Sequence, residues 1–332
     1  MKTRIAINGF GRIGRSLFRL LLNHPTIEVV AINDIADNRT MAHLVKYDSI
    51  HGVLPYSVSC GDDTSIIVDE KAYLFFNEKD IANLNWKNIN IDIVIESTGK
   101  FTTFEDINKH VLAGAKKVIL SSPSEEESIK TVVLGVNEHI LDGTEKIISN
   151  ASCTTNNAAP MIKVIQDLCG IEQAYITTVH SYTTDQSLHD QPHKDLRRAR
   201  GASQSIVPTT TGAAKAVTKI FPEMEGKIGG CGIRVPVPDG SLTDITFNVK
   251  RAVTIEEINA AFLKASQTNL KGILDYTEDS IVSVDIIGNK NSCLFDAQLT
   301  SVIDKMVKVV GWYDNEIGYS SRIIDLILLL QK

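Results

Sequence analysis

Short runs of β-branched and other apolar residues alternate with amphipathic stretches over the first half of the chain. TRIAIN at 3–8, IEVVAIN at 27–33, IDIVIES at 91–97, KVIL at 117–120 and TVVLGV at 131–136 read as strands buried on both faces. Between them, residues 12–23 and 104–114 carry helical apolar spacing. Strands of this kind, separated by helices, pair in parallel through right-handed crossovers, which predicts an α/β doubly wound sheet. Past about residue 150 the rhythm changes. A helix over 154–168 is followed by longer runs at 173–180, 228–237, 241–250, 281–287, 293–301 and 306–314, the pattern of an α+β domain with a mainly antiparallel sheet. Ile323, Ile324, Leu326, Ile327 and Leu330 then predict a packed terminal helix.

Composition narrows the class. At 332 residues the length suits two domains, each with its own core. Hydrophobic residues at 43% and charged residues at 22% argue against extensive disorder. The formal net charge of -6 repels polyanions, so no dedicated nucleic-acid site is expected. The one short basic run, Arg197-Arg198-Ala199-Arg200, reads on charge alone as a solvated face, and Glu125-Glu126-Glu127 as a solvated turn. Arg12 and Arg15 interrupt the apolar start, and nothing later approaches about 18 uninterrupted apolar residues, so neither an export signal nor a membrane span is expected. Cys60, Cys153, Cys169, Cys231 and Cys293 are odd in number and lack a C-x-x-C pair. That fits reduced thiols in a cytoplasmic setting rather than a disulfide framework or a zinc site.

Candidate chemistry begins directly after the first strand. Gly9-Phe10-Gly11-Arg12-Ile13-Gly14 is a G-x-G-x-x-G that opens a helix, where unpaired N–H groups can hold a pyrophosphate. Asp34 ends the second strand, twenty residues past Gly14, where a carboxylate accepts the hydroxyls of an adenosine ribose. The same charge repels a 2′-phosphate and favours NAD over NADP, although Arg12 would offset part of that repulsion.

The best nucleophile is Cys153, in Ser149-Asn150-Ala151-Ser152-Cys153-Thr154-Thr155-Asn156-Asn157. A thiol at a helix N-terminus is stabilised as thiolate, and polar flanks suit a reactive thiol better than a core one. His180 ends the strand pattern Ala174–Val179 and is the candidate base. His189 and His193 have the four-residue spacing of helical metal ligands, but Pro192 interrupts any helix there, so no metal site is expected.

INGFGRIGR, SNASCTTN, TTVHSYT, KDLRRARGAS, IVPTTTGAAKA, RVPVPDGS and VKVVGWYDNEIGYS together resemble the glyceraldehyde-3-phosphate dehydrogenase family, in the family's order from residue 3 to about 328. The resemblance implies an NAD-binding Rossmann domain over 1–151, completed by a C-terminal helix over 317–332, and a catalytic domain over 152–316. It implies oxidation of glyceraldehyde 3-phosphate with NAD and inorganic phosphate, through a thiohemiacetal and a thioester on Cys153, with His180 moving the proton. Thr183 and Arg234 would hold the substrate's 3-phosphate; Ser152, Thr154, Arg198, Thr211 and Gly212 would hold the attacking phosphate. Asn315 would hold the nicotinamide carboxamide with Tyr319 near the ring, and Arg12, Ile13, Asp34, Lys79 and Ser121 take the other dinucleotide positions beside Gly9, Gly11 and Gly14. Matching KDLRRARGAS to the family's S-shaped loop places the neighbours of Arg198 at a subunit interface. A homotetramer follows from the same likeness.

Three positions depart from the family pattern. Asn157 stands where many members carry a second cysteine, which removes an intramolecular disulfide partner for Cys153. Gln191 replaces the leucine before Pro192 in NAD-using relatives and leaves NADP tolerance open. Cys231, in Gly229-Gly230-Cys231-Gly232, reads as a strand residue. Two other readings stay open here: an erythrose-4-phosphate dehydrogenase, against which Thr183 and Thr209-Thr210-Thr211-Gly212 argue, and a nucleotide-binding regulator without turnover.

Overall fold

Gly14 follows its glycine turn with Arg15, Leu17, Phe18 and Leu21 on one buried face, so α1 (Arg12–Leu21) can lie on a sheet only one way round. The computed structural model describes residues 2–331. Among these, contacts group the chain into two units: one holds the chain up to Val132, His139–Ala151 and Ser320 onward, the other Val133–Glu138 and Ser152–Tyr319.

In the first unit, β1 (Thr3–Asn8), β2 (Ile27–Asn33), β3 (Lys71–Phe76), β4 (Ile93–Glu96), β5 (Lys117–Leu120) and β6 (Ile147–Ser149) lie in one sheet. Their order is β6-β5-β4-β1-β2-β3, all parallel, with Lys130–Thr131 beyond β6 and the antiparallel strands Ser65–Val68 and Val58–Cys60 beyond β3. The chain leaves β1 toward β2 on one side and returns to β4 on the other. The β1/β4 boundary is therefore the point where strand order reverses, the place where open α/β sheets bind ligands. Helices α2 (Asn38–Lys46) and α3 (Phe104–Leu112) belong to this unit. Phe10 and Tyr73 meet Phe18 edge-on, at ring separations of 5.5 and 4.8 Å.

In the second unit, α4 (Cys153–Cys169), β7 (Ile171–Ser181), α5 (Ala213–Ile220), β8 (Ile228–Val235), β9 (Ser241–Val249), α6 (Ile255–Gln267), β10 (Cys293–Asp296) and β11 (Met306–Tyr313) precede α7 (Ile317–Leu330), which the chain enters before crossing to the first unit. The sheet runs β8-β7-β9-β11-β10, flanked by Val207–Thr209 and Leu274–Thr277. It is mainly antiparallel, but β7 pairs with β8, and β10 with Leu274–Thr277, in parallel. Met161, Ile162 and Ile165 of α4 share its core with Ile245, Phe247, Val307 and Val309, and Phe262 of α6 stacks on Phe295 at 3.8 Å. No described helix is long and apolar enough to cross a membrane.

Three expectations from the pattern are corrected. The run at 131–136 pairs only through Lys130–Thr131; then Asn137 Oδ1 takes the N–H of Val133 at 2.7 Å and turns the chain. The run at 281–287 is a 3-10 turn over Ser283–Ile286, closed by the N–H of Val282 on Asp285, with Val282 and Val284 exposed. Glu126 is more than a solvated turn residue: it accepts the first N–H of α3, at Phe104, at 2.9 Å.

Candidate active site

The glycine loop of the first unit is built for close approach. Gly9 has φ +91°, and a Cβ there would stand 2.5 Å from the backbone N of Thr98; a Cβ on Gly14 would stand 2.2 Å from the carbonyl of Gly9. Gly11 caps α1 without a side-chain bond, and nothing lies within 4 Å of where its Cβ would be. Open space over the N–H groups of a helix start fits a pyrophosphate. Asp34 follows β2, and its carboxylate accepts the N–H of Phe10 at 2.6 Å and of Ala36 at 2.9 Å, which fixes it beside the loop. Arg12 is not available to offset that charge: its guanidinium is bidentate on Asp48, at 2.7 and 3.1 Å. Ile13 is half-buried on α1, Lys79 is exposed after β3, and Ser121, after β5, donates its N–H to the carbonyl of Glu96 at 2.9 Å. These groups fit a dinucleotide.

In the second unit, Cys153 is the first residue of α4. Ser152 caps that helix, its Oγ accepting the N–H of Thr155 at 3.1 Å. Two residues earlier, Ala151 is buried at φ +54°, a left-handed conformation that costs energy in a residue with a Cβ and turns the chain sharply into the helix. The Sγ of Cys153 lies 3.4 Å from Nε2 of His180, near the end of β7. Parallel pairing puts Arg234 of β8 beside His180, with Nη1 2.5 Å from Nδ1 and 3.1 Å from the carbonyl of Ser181. Nδ1 itself is 2.8 Å from that carbonyl. Two neutral tautomers meet different partners here: a proton on Nδ1 points to the Ser181 carbonyl and leaves a lone pair of Nε2 toward the sulfur, whereas a bond accepted by Nδ1 from Arg234 puts the proton on Nε2.

Burial and then the charge of Arg234 hold the His180 pKa down at about 3, so the ring is a neutral base. Burial also pushes the Cys153 thiol up, against the pull of Arg234 and the N–H of Thr154. Burial thus opposes the thiolate expected from the helix start, while Arg234 and the N–H of Thr154 favour it.

Family models match both halves of the chain: the glyceraldehyde 3-phosphate dehydrogenase NAD binding domain over residues 3–104 and the C-terminal domain over 152–315. The chain belongs to the glyceraldehyde-3-phosphate dehydrogenase family. It is 53% identical over 329 residues to glyceraldehyde-3-phosphate dehydrogenase 2 of Streptomyces avermitilis, covering 98% of each chain. It is 53% identical over 328 residues to the enzyme of Geobacillus stearothermophilus (98% and 97% covered) and 51% over 334 residues to enzyme 1 of Bacillus subtilis (100% and 99%).

The other residues that the family pattern marks fall into place unevenly. Thr154 Oγ1 is 2.9 Å from the hydroxyl of Tyr313, whose ring meets His180 edge-on at 5.9 Å. Arg198, in the loop after β7, is held by Asp185 at 2.5 Å and Thr209 at 2.8 Å, and its charge reaches Arg234. The basic run is therefore not one solvated face: Arg197 is exposed, Arg200 pairs with Asp190, and Arg198 turns inward. Thr211 and Gly212 precede α5, where Thr211 Oγ1 accepts the N–H of Ala213. Thr183 is half-buried after β7. Asn315 has its Oδ1 clamped by Ser181 at 2.9 Å and Ser241 at 2.7 Å, and Tyr319 is buried in the first turn of α7.

Asn157 fills the departing cysteine position by donating to the carbonyls of Ser292 and Trp312, at 3.3 and 3.2 Å. His193 bonds Asp185 at 3.3 Å. Tyr313, Asp185 and Asp48 were passed over in the sequence. Tyr313 lies within the motif VKVVGWYDNEIGYS and Asp185 just beyond TTVHSYT; Asp48 carries no local signal.

Proposed function

We propose that this chain oxidises glyceraldehyde 3-phosphate to 1,3-bisphosphoglycerate with NAD and inorganic phosphate. The observation that carries the reading is the Cys153–His180 pair, 3.4 Å apart, with Arg234 against the ring. Cys153 Sγ attacks the aldehyde carbon while its proton passes through Nε2 of His180 to the former carbonyl oxygen, giving a thiohemiacetal and returning the ring to its neutral form. Bound NAD supplies the hydride acceptor. As the hydride leaves carbon 1, His180 takes the hydroxyl proton, and a thioester remains on Cys153. A phosphate oxygen then attacks the thioester carbon, the C–S bond breaks, and the sulfur recovers its proton.

Arg234 and Thr183 would hold the 3-phosphate; Ser152, Thr154, Arg198, Thr211 and Gly212 would hold the attacking phosphate, with guanidinium forks and hydroxyls suited to its oxygens. Gly9, Gly11, Arg12, Ile13, Gly14, Asp34, Lys79 and Ser121 would hold the dinucleotide. Asn315, with Oδ1 clamped by two serines, would give Nδ2 to the nicotinamide carboxamide beside Tyr319.

The same reading carries a homotetramer. Leu188, Leu196 and Ile206 are 66–82% exposed in the loop that carries Arg198, an apolar surface suited to a second copy; light scattering would test it. Five free cysteines support a cytoplasmic setting.

The test is NADH formation from glyceraldehyde 3-phosphate, with and without phosphate, alongside erythrose 4-phosphate and NADP. Phosphate-dependent turnover preferring the triose and NAD supports the reading. Phosphate-independent turnover of the tetrose, or NAD binding without turnover, overturns it.

A further inference from the structure

Below the glycine loop lies a buried polar chain that the reaction does not use. Glu96, His110 and Trp86 have no exposed surface, and Asn8 and Asn33 are nearly as buried. The indole N–H of Trp86 can only donate, and it meets Nδ1 of His110 at 2.9 Å. Nδ1 must therefore accept, which leaves the ring's proton on Nε2. Nε2 faces Oε2 of Glu96 at 3.0 Å, so the glutamate accepts. Oε2 also accepts from Asn8 Nδ2 at 2.5 Å, and Oε1 accepts the N–H and hydroxyl of Thr98 at 2.8 and 2.5 Å. Donors surround the carboxylate on every side. The chain continues across the sheet: Asn33 Nδ2 donates to Asn8 Oδ1 at 2.7 Å, and Asn33 Oδ1 takes the N–H of Glu78 at 2.9 Å.

Strand register explains the alignment, because Glu96, Asn8 and Asn33 are paired neighbours at the carboxyl ends of β4, β1 and β2. Several members adjoin positions assigned to the dinucleotide. Asn8 precedes Gly9, Asn33 precedes Asp34, Glu78 precedes Lys79, and Thr98 is the residue whose backbone the Gly9 turn rests on. A partly satisfied buried network is costly, whereas a complete one locks a single geometry.

We infer that Glu96 is a positioning residue for the dinucleotide: it gathers Asn8, Thr98 and His110 on one carboxylate and so sets the spacing of the loops around the pyrophosphate and ribose. The inference rests on reading this unit as NAD-binding. It assigns Trp86 a role as well, that of fixing the His110 tautomer.

Titration calorimetry with NAD on the native, Glu96→Gln and Trp86→Phe proteins tests it, with melting of the NAD-free proteins and the iodoacetamide reaction rate at Cys153 measured in parallel. The glutamine amide would set a donor against the donors of either Thr98 or His110 and Asn8. The expected result is a Kd for NAD raised tenfold or more, with the Cys153 rate within twofold of native. A cooperatively melting Glu96→Gln protein whose Kd stays within twofold overturns the inference. So does an equal loss in Kd and in Cys153 reactivity, which would make the residue merely structural. If Glu96→Gln does not fold, Trp86→Phe decides, since it removes one N–H: a Kd raised about threefold supports the assignment, and an unchanged one overturns it. Native protein that binds no NAD would overturn the reading of the unit and the inference with it.

Discussion

The Sγ of Cys153 stands 3.4 Å from Nε2 of His180, a sulfur at the start of α4 facing a ring near the end of β7. A neutral ring at that distance is placed to take the thiol proton during attack rather than before it. His180→Asn should lower kcat by about 10²–10⁴-fold, the usual range for a lost acid–base group, while KM for the aldehyde changes little. Steady-state kinetics decide the matter; a kcat within tenfold of native would count against the base.

Arg234, proposed to hold the 3-phosphate, also acts on the ring as a charge. It is the second cause, after burial, that holds His180 at about 3. Arg234→Gln should therefore raise that pKa, moving the loss of the neutral, proton-accepting form to higher pH, and should raise KM for the aldehyde. Imidazole NMR titration reads the first effect. A downward shift would contradict it.

Gly11 and Gly14 separate two kinds of glycine requirement. Gly14→Ala drives a Cβ into the carbonyl of Gly9, 2.2 Å away, and should lower melting temperature and NAD affinity together. Gly11→Ala meets open space at an ordinary φ of -69°. It should melt like the native protein yet bind NAD more weakly, because the added methyl stands where the pyrophosphate approaches. Equal NAD affinity in Gly11→Ala and native protein would remove the loop from the cofactor site.

Asp48 gives a pH-dependent stability term. Burial pushes its carboxyl up, but Arg12 and the N–H groups of His51 and Ile50 outweigh that and hold it at about 2, against an ordinary 3.8. The ionised form is thus favoured by the fold, and its contribution is complete above 3.8 and lost as pH falls through 2. Asp48→Asn should cost ~2 kcal/mol near neutrality. Urea unfolding at pH 7 and at pH 3 checks it: the gap between native and variant should narrow in acid, and a constant gap would contradict the assignment.

The local features of both units were legible along the chain. The glycine turn, Asp34 at the end of β2, and Cys153 before an apolar helical stretch each declare themselves within a few residues, because backbone geometry and helix starts are local physics. What stayed hidden is pairing at a distance. Nothing near Arg12 names Asp48, and nothing near Arg198 names Asp185, since these partners meet only once the sheets are assembled. The Thr254–Glu257 capping box that starts α6 is a local signal of another kind, one that apolar periodicity passes over. Apolar runs also misled where the side chains are not core: Val282 and Val284 lie outside, so their alternation marked a turn. The direction of the Cys153 shift was illegible for the same reason, because burial of the sulfur is a property of the folded unit.

The central claim is a thioester on one sulfur, and intact-mass analysis followed by peptide mapping tests it most directly. Protein mixed with glyceraldehyde 3-phosphate and NAD without phosphate should gain one phosphoglyceroyl group on the Cys153 peptide, formed only with NAD and discharged when phosphate is added. An adduct on Cys60, Cys169, Cys231 or Cys293, or none at all in protein that binds NAD, would contradict the account.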